Sequence, residues 1–386
     1  MLPAACKKRI HQSFHNKAAS IDFQADLITD VEKFAGLKKS WNDLLGRAAY
    51  QNIQLTHDWL FSCWQHYQHS HPISRLCLYA VYNAEDDLVA LFPMMITKIA
   101  YKRLFTAQRL SFLCYEYCDY SDFIIEKGFG EQCLKFFVTH ILIDRRLKWD
   151  ILVLRNIPSE GGHHGLILSG LRKAGFNTHQ KEITRFYHID CSKDSYMSYI
   201  GSRSKSHRQN IRTAQNRLCK QEKLGLPTPA LVRLRPSLKL LSDLIQLCVR
   251  RQKLKKRQSV LQDVNFTKFL SHFVLTHRDF IDLTGLKIGP KLIAFCICLK
   301  FMNVHYYWIP GFDQNYERLS PSNILLVQLI REAFDKKNDR FTFMAGASEY
   351  KKKWATGHTS GFQIRAANPR SLKSTILEPL FLRGLK

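Results

Sequence analysis

The sequence predicts an α/β (α+β) protein of two domains, each a mixed, mostly antiparallel sheet flanked by helices. The chain has 386 residues, which is enough for two domains of ordinary size. Apolar residues make up 45% of it, so each domain can bury a core. The order hairpin, strand, helix, strand occurs twice along the chain, which indicates a structural repeat.

The first half of the chain contains the first copy of this order. Apolar residues recur at helical spacing in two early segments, and Thr56 is predicted to cap the second helix. Two alternating runs around Asn-Ala-Glu-Asp-Asp then predict a β-hairpin. The two early helices and the five elements after the hairpin are predicted at VEKFAGLKKSWNDLLGRA, THDWLFSCWQHYQH, YSDFIIE, GEQCLKFFVTHILID, WDILVL, residues 164–174 and EITRFYHID.

The second half repeats the order after two mostly helical regions, at 204–223 and 236–277. A Gly-Pro turn separates two apolar runs in FIDLTGLKIGPKLIAFCICLKFM, which predicts a second hairpin. A strand, a helix and a buried strand follow, at VHYYWIPG, PSNILLVQLIREAFDKK and RFTFM. With the boundary near Cys191–Ser195, the predicted segments are a loose basic leader (1–20), an N-terminal domain (21–192), a C-terminal domain (193–370) that contains the basic helical segment 204–223, and a tail (371–386).

The net charge of +26 indicates an anionic partner. A field of this size attracts nucleic acid, anionic lipid headgroups or a polyphosphate cofactor, and charge alone does not choose among them. The eleven cysteines have no repeating spacing, which favours reduced thiols in a cytoplasm. We find no signal peptide, and the longest apolar runs are too short to span a membrane. We therefore predict a cytoplasmic protein, with a peripheral position at an inner membrane as the alternative.

The segment RFTFMAGASEYKKKWA, residues 340–355, changes abruptly from a core strand to small and then cationic residues. Ligands bind at the carboxyl ends of strands in α/β sheets, and Ala345, Gly346 and Ala347 let a ligand approach the backbone closely. The alternative is a solvated basic turn, which is how charge runs usually occur.

Ser320 and Pro321 mark the start of a predicted helix that suits an anion. A helix N-terminus presents free N–H groups and a positive partial charge, and Arg318 lies just before it. Most Ser-Pro helix starts bind nothing, so this signal gains weight only from the strands predicted beside it.

Two cationic runs are candidates for docking an acidic ligand, nucleic acid or lipid. For the segment 250–257 a solvated face or a nonspecific electrostatic role is favoured. Aromatic residues do not alternate with the cations of either run as they would on a platform for single-stranded nucleic acid. The other run lies along one predicted helix and comprises Arg203, Lys205, His207, Arg208, Arg212, Arg217 and Lys220.

Other motifs argue against several classes of chemistry. Cys63, His66, His69 and His71 lie close together, but no second ligand cluster supports a zinc site, and we predict no metal. The chain has no phosphate-binding P-loop, no dinucleotide fingerprint, no zincin motif and no nucleophile elbow. Nucleotide hydrolysis, dinucleotide redox chemistry and serine hydrolysis are therefore not indicated.

The second half resembles the CelD-type acetyltransferases, which are bacterial GNAT-like proteins associated with cellulose or polysaccharide biosynthesis. The resemblance rests on SRSKSHRQNIRTAQNRL, on the segment from KLIAFCICL to LIREAF, and on RFTFMAGASEYKKKW. The family's Gly-x-x-x-Tyr-Lys motif matches Gly346, Tyr350 and Lys351, and its Ser-Pro-Gly motif matches except that Ser322 replaces the glycine. Over about 22–367 the resemblance implies two tandem GNAT-like domains, as in the Fem-type peptidoglycan aminoacyl transferases.

The resemblance implies transfer of an acyl group from acyl-CoA, with acetyl-CoA as the expected cosubstrate, to an amine or hydroxyl acceptor without a metal. Tyr350 would donate a proton or bind substrate, and Asp313 and Glu349 are candidate bases, although a surface ion pair or a cap is the commoner role of such carboxylates. The expected cosubstrate ligands are Arg318, Ser320, Ser322, Asn323, Gly346 and Lys351. The expected acceptor-binding residues are Asp119, Tyr120, Asp122, Arg208 and Arg212.

Two other functions stay open at this point. The charge would also fit aminoacyl-tRNA as the donor, although 204–223 is only a modest helical segment in place of a coiled-coil insertion. The chain could equally be a non-catalytic module that binds a polyanion or a membrane. The sequence leaves the oligomeric state open.

Overall fold

A computed structural model describes residues 10–12, 22–70, 74–101, 105–223, 228–254 and 259–383. The chain forms two compact units: the first comprises Met1–Thr184 with Ser360–Lys386, and the second comprises Arg185–Thr359. The boundary near Cys191–Ser195 stays a prediction, and residues 360–367 of the strand Gly357–Ala367 belong to the first unit. Apart from 10–12, the leader lies outside the described residues, as do 255–257 of the second cationic run and His71.

The elements are numbered in chain order, and β8 and β14 each extend across a unit boundary. Up to β8 they are β1 Ile10–Gln12, β2 Phe23–Ile28, α1 Val31–Gly36, α2 Lys38–Arg47, α3 His57–Ser70, β3 Arg75–Tyr82, β4 Leu88–Tyr101, β5 Phe105–Phe112, β6 Ile124–Ile125, α4 Gly130–Phe136, β7 Ile151–Pro158, α5 His164–Lys173 and β8 Thr178–Asp190. After β8 they are α6 Tyr196–Gly201, α7 Lys205–Lys223, β9 Ala230–Arg233, α8 Leu238–Leu254, α9 Val264–Thr276, β10 Ile281–Ile288, β11 Lys291–Phe301, β12 Val304–Phe312, α10 Pro321–Asp335, β13 Arg340–Ala345, α11 Glu349–Trp354, β14 Gly357–Ala367 and α12 Leu372–Arg383.

The first unit contains a mostly antiparallel sheet with the strand order β1-β2-β3-β4-β5-β7-β14, and β6 pairs with β4. Only β5 and β7 in this order run parallel. The predicted hairpin is β3 and β4, and the Oγ1 of Thr56 accepts a hydrogen bond from the Trp59 N–H at the start of α3, as a cap does. The third strand of the repeat is β5, which we did not predict from the sequence, because its residues mix polar and apolar side chains without clear alternation.

The second unit contains the sheet order β8-β13-β12-β11-β10-β9, in which only β12 and β13 run parallel. Gly289 has φ +54 in the turn between β10 and β11, a conformation that glycine adopts without strain. The helix α10 buries Ile324, Leu325 and Leu329 in the core beside β11 and β13. Both units are thus mixed sheets flanked by helices, which confirms the predicted fold class.

Two general properties of the described residues bear on function. No helix among them has both the length and the apolar character needed to cross a bilayer. Nine buried cysteines form no disulfide among the residues whose side chains the structure describes.

Candidate active site

Two parallel strands of the second unit pair briefly and then separate. Strands β12 and β13 pair at Val304 with Arg340, His305 with Phe341 and Tyr306 with Thr342, while β12 continues to Phe312. Beyond Tyr306 and Thr342 no ladder pair joins the described residues of the two strands. Such an opening at the carboxyl ends of parallel strands is where α/β sheets bind ligands.

Irregular backbone on both strands accounts for the separation. The register between β11 and β12 shifts between the pairs Ile297 with Ile309 and Cys298 with Tyr307, which places a β-bulge at Trp308. The register between β13 and β8 shifts after Thr342, and Met344 has φ +59. A bulge re-aims the strand that contains it, so β12 and β13 turn away from each other at the same level.

The N-terminus of α10 follows β12 at this edge, after a short 3-10 turn over Gln314–Leu319. Ser320 is the residue before the helix and has φ 55 and ψ 48, a left-handed conformation that is strained for serine. The carbonyl oxygen of Arg318 accepts a hydrogen bond of 2.8 Å from the guanidinium of Arg217, while the Arg318 side chain is exposed. The helix start, the partly exposed Ser322 and the exposed Asn323 suit an anion such as a pyrophosphate.

Lys351 is buried, with only 9% of its surface exposed, and it points back into the end of β13. Its ammonium donates to the carbonyl oxygen of Ala345 at 2.5 Å and lies 3.5 Å from that of Met344. Gly346 has φ +115, and a Cβ there would lie 3.3 Å from the Lys351 Nζ. The lysine that we expected to contact an anion therefore satisfies backbone carbonyls at the strand end.

Tyr350 is 43% exposed at the same edge, and its ring makes an edge-to-face contact with Phe343 at 6.3 Å between centroids. Glu349, which is also exposed, begins α11. The helix is held at its other end, where the Tyr199 hydroxyl donates to the carbonyl oxygen of Trp354 at 2.6 Å. Arg203, which lies between α6 and α7, donates to the carbonyl oxygen of Ala355 at 2.6 Å, so this segment holds the end of the helix that contains Tyr350.

Asp313 has structural partners. Its carboxylate accepts from the Asn315 N–H at 3.0 Å and forms an ion pair of 3.2 Å with Lys291, whose pKa is raised by this hydrogen bond. A carboxylate that caps a turn and pairs with a cation must break these contacts to accept a proton. Because Asp313 has these contacts, the exposed Glu349 is the better candidate for the general base.

The two arginines expected to bind acceptor lie on the exposed side of α7. Arg208 donates to the carbonyl oxygen of Gly201 at 2.7 Å, and Arg212 is exposed. The opposite side of α7 buries Ile211 and Ala214 in the core that α10 also enters. Their role in substrate binding stays a prediction.

The first unit has a corresponding separation of parallel strands, and its own chain fills it. Strands β5 and β7 pair only from Arg109 to Ser111 with Ile151 to Val153. Beyond this level the Asn156 side chain donates to the carbonyl oxygen of Cys118 at 2.9 Å, and the Ser121 N–H donates to the carbonyl oxygen of Asn156 at 3.2 Å. The chain thus fills the strand separation of the first unit with its own residues, while the corresponding separation in the second unit stays open.

The expected acceptor residues of the first unit lie in this filling segment. Asp122 is buried, and its carboxylate accepts from the backbone N–H groups of Phe123 at 2.8 Å and His163 at 2.9 Å. The Tyr120 N–H, also buried, donates to the Gln54 side chain at 2.8 Å, while Asp119 is half-buried. The Asp122 carboxylate raises the pKa of His163 against the opposing effect of burial. These contacts serve the segment's own structure, and acceptor binding by the three residues stays a prediction.

The sequence did not indicate two residues that shape the opening: Trp308 forms the bulge, and Met344 adopts the left-handed conformation. Arg217, which the sequence indicated only as one cation of a docking run, holds the loop before α10. The Pro310-Gly311 pair that follows Trp308 was the one available signal of an irregular strand. Among the described residues, no group of three or more His, Cys, Asp or Glu side chains is arranged to hold a metal ion.

Comparison with protein families finds one match, within the second unit. Residues 205–352 match the family model described as "Acetyltransferase (GNAT) domain". This range begins with α7 and ends within α11, so it contains the opening, the start of α10 and Lys351. No curated protein matches the chain in sequence.

Solved structures of similar fold cover almost the whole chain. FemX superposes with a TM-score of 0.61 at 10% identity, over 89% of this chain and 98% of that chain. L-PGS from Bacillus licheniformis superposes with a TM-score of 0.51 at 13% identity, over 92% of this chain and 98% of that chain. Similarity at this level of identity establishes the two-unit fold and leaves substrate open.

Proposed function

We propose that the protein is an acyl-CoA acyltransferase that moves an acyl group, acetyl in the simplest case, to an amine or hydroxyl acceptor. The observation that supports this most is the separation of β12 and β13 beside the start of α10. It lies inside the range that matches an acetyltransferase (GNAT) domain. The CelD-type resemblance extends the proposal to an acceptor in polysaccharide or cell-envelope metabolism.

The residues present fit the cosubstrate in part. The exposed Arg318 and the Ser322 N–H at the start of α10 suit its phosphates, and the opening between the strands suits its extended arm. Lys351 does not fit the expected phosphate contact, because its ammonium already binds carbonyl oxygens. We therefore assign Lys351 to the shape of the strand end and keep Arg318, Ser320, Ser322, Asn323 and Gly346 as the proposed cosubstrate ligands.

The proposed reaction is direct transfer from a thioester, which supplies the acyl group and a thiolate leaving group. Glu349 accepts the proton of the attacking amine or hydroxyl as the new bond to the acyl carbon forms. Tyr350 donates its phenolic proton to the leaving sulfur as the carbon–sulfur bond breaks. Both side chains are exposed at the edge where β13 ends, so they can reach groups bound in the opening.

The test measures release of the cosubstrate thiol with acetyl-CoA and longer acyl-CoAs against a panel of amine and hydroxyl acceptors. A thermal-shift titration with acyl-CoA and with CoA identifies the donor independently of the acceptor. Tyr350→Phe is expected to lower the rate by about tenfold to a thousandfold while thermal stability is unchanged. Lys352→Ala, an exposed neighbour on α11, is the matched control, and a normal rate in folded Tyr350→Phe would refute the assignment.

The second candidate function is a transferase that uses aminoacyl-tRNA as its donor, and the charge of +26 favours it. Stabilisation by tRNA that falls steeply with salt, without any shift from acyl-CoA, would select this function. Neither response, with retained binding to heparin or lipid, would indicate a non-catalytic module.

A further inference from the structure

The first unit has a cationic groove that the proposed function does not use. It encloses about 430 Å³ between the segment before β7 and the segment that leads into α12. Its cations are Arg145, Lys148 and Arg370, and Lys373 follows on the first turn of α12. Leu142 and Leu147 supply part of its apolar lining.

The carboxylates near the groove are engaged elsewhere. Asp144 accepts from Arg146 at 2.6 Å and from the Tyr79 hydroxyl at 2.7 Å, which keeps its pKa below the ordinary value. Asp150 accepts from the Ser371 hydroxyl at 2.5 Å and from the Gln108 N–H at 2.7 Å. The groove is therefore positive toward solvent.

Beside this groove, α12 turns apolar side chains outward. Leu372 is 78% exposed and Ile376 is 69% exposed, one helical turn apart, and the exposed Pro379 continues the same side. The opposite side of the helix contains the fully buried Ser374, and Glu378 there accepts from Asn177. Ile143, at 38% exposure, adds a further aliphatic side chain at the groove.

We propose that this surface, formed by the groove and the outer side of α12, docks the protein on an anionic lipid bilayer. Aliphatic side chains flanked by lysine and arginine are the features with which helices lie in a membrane interface. The groove accepts phosphate-bearing headgroups, while Leu372 and Ile376 enter the boundary of the acyl chains. A bilayer presents anionic headgroups next to apolar acyl chains, and this surface presents cations next to aliphatic side chains.

Two other occupants fit the surface less well. A symmetric contact with a second copy of the chain would bring the same four cations together, which is unfavourable. Single-stranded nucleic acid needs aromatic side chains for its bases to stack on, and the exposed apolar side chains that the structure describes on this surface are aliphatic. The proposal does not depend on the acyltransferase function.

Co-sedimentation of the full chain with vesicles tests the proposal. The protein is expected to bind vesicles of phosphatidylcholine mixed with phosphatidylglycerol, to ignore pure phosphatidylcholine, and to dissociate as salt increases. Arg145→Ala with Lys148→Ala is expected to weaken binding by roughly tenfold to thirtyfold, since each cation near the surface contributes to attraction of anionic lipid. Leu372→Ser with Ile376→Ser is expected to weaken it by at least about tenfold.

Matched controls lie in the second unit, where Leu238 and Val264 are 69% and 61% exposed. Leu238→Ser with Val264→Ser, and Lys205→Ala with Arg212→Ala on α7, are expected to bind vesicles as the wild type does. The proposal is overturned if anionic vesicles are not bound, or if the α7 pair loses binding while the groove and α12 pairs keep it. Dissociation of a dimer by the α12 pair, or retention of tRNA in place of vesicles, would also overturn it. Every substituted residue is exposed, so unchanged thermal unfolding is the check on folding.

Discussion

The Nζ of Lys351 lies 2.5 Å from the carbonyl oxygen of Ala345, inside the turn that ends β13. The contact joins the first helical residues after the strand to the strand's last carbonyl. It therefore fixes the edge at which Tyr350 is exposed. A lysine that sequence alone places beside a ligand is here part of the scaffold that shapes the site.

Replacement of Lys351 by methionine is expected to lower stability. Lys351→Met keeps most of the apolar stem but leaves the carbonyl oxygens of Ala345 and Met344 without their donor, which costs about 1–3 kcal/mol. Lys352→Met, on the exposed side of α11, is the matched control and is expected to change stability by less than about 0.5 kcal/mol. Denaturant unfolding measures both, and equal stability of the two variants would show that the buried ammonium does not hold the strand end.

Gly346 is the second element of this turn, and alanine is expected not to fit there. With φ +115 the position disfavours any side chain, and the added Cβ would meet the Lys351 Nζ at 3.3 Å. Gly346→Ala is expected to cost about 1–3 kcal/mol of unfolding free energy and to lower acyl transfer.

The control for this variant is Gly165→Ala in α5, where a Cβ would meet nothing within 4 Å and the backbone is helical. That change is expected to be neutral or to stabilise by about 0.5–1 kcal/mol, as alanine does in helices. If Gly346→Ala were as stable as Gly165→Ala, the claim that Gly346 requires a positive φ would be wrong.

At Ser320, in contrast to Gly346, a substitution is expected to maintain or raise the stability of the protein. It adopts φ 55 and ψ 48 before α10, and its side chain forms no capping hydrogen bond. Ser320→Gly is therefore expected to leave stability unchanged or raise it by up to about 1 kcal/mol, because glycine adopts this conformation without strain. Ser320→Val, β-branched at the same position, is expected to destabilise by more than about 1 kcal/mol. A loss of stability in Ser320→Gly would show that the backbone at Ser320 is not strained.

The sequence predicts the parts of this site better than their arrangement. The strands β12 and β13 and the helix α10 follow from alternation and from Ser320-Pro321, because these signals are local. The bulge at Trp308 and the left-handed Met344 depend on the register with β11 and β8, which no local pattern encodes. The direction in which the Lys351 side chain points depends on these two irregularities. Sequence alone therefore indicated an anion contact for its charge, whereas the structure shows hydrogen bonds to carbonyl oxygens.

The first unit illustrates the same limit. Its β-hairpin was predicted from alternation around Asn83, yet β5 was not, and the filling of its opening depends on the contact of Asn156 with Cys118. That contact joins residues far apart in the chain. A repeat recognised in sequence can therefore differ in function between its two copies for reasons that only packing reveals.

His207 predicts how the second unit responds to acid. Its ring packs edge-on against Trp354 at 4.4 Å between centroids, and its Nε2 is buried without a hydrogen-bond partner among the described residues. Burial is the main cause that lowers its pKa, and the positive charges of Arg203 and Lys353 lower it further. The folded state therefore holds the neutral ring.

As the pH falls below about 6.5, the unfolded chain binds this proton first. The stability that the neutral ring contributes is present above that pH and is lost as the pH falls through the lower pKa of the folded state. His207→Phe keeps the packing on Trp354 and removes the titration, so the variant is expected to lose less stability than the wild type between pH 7 and pH 5. Thermal unfolding across this range measures the difference, and His179→Phe, at a histidine whose ring is not buried, is the control. Parallel pH profiles for wild type and His207→Phe would show that the imidazole of His207 titrates normally.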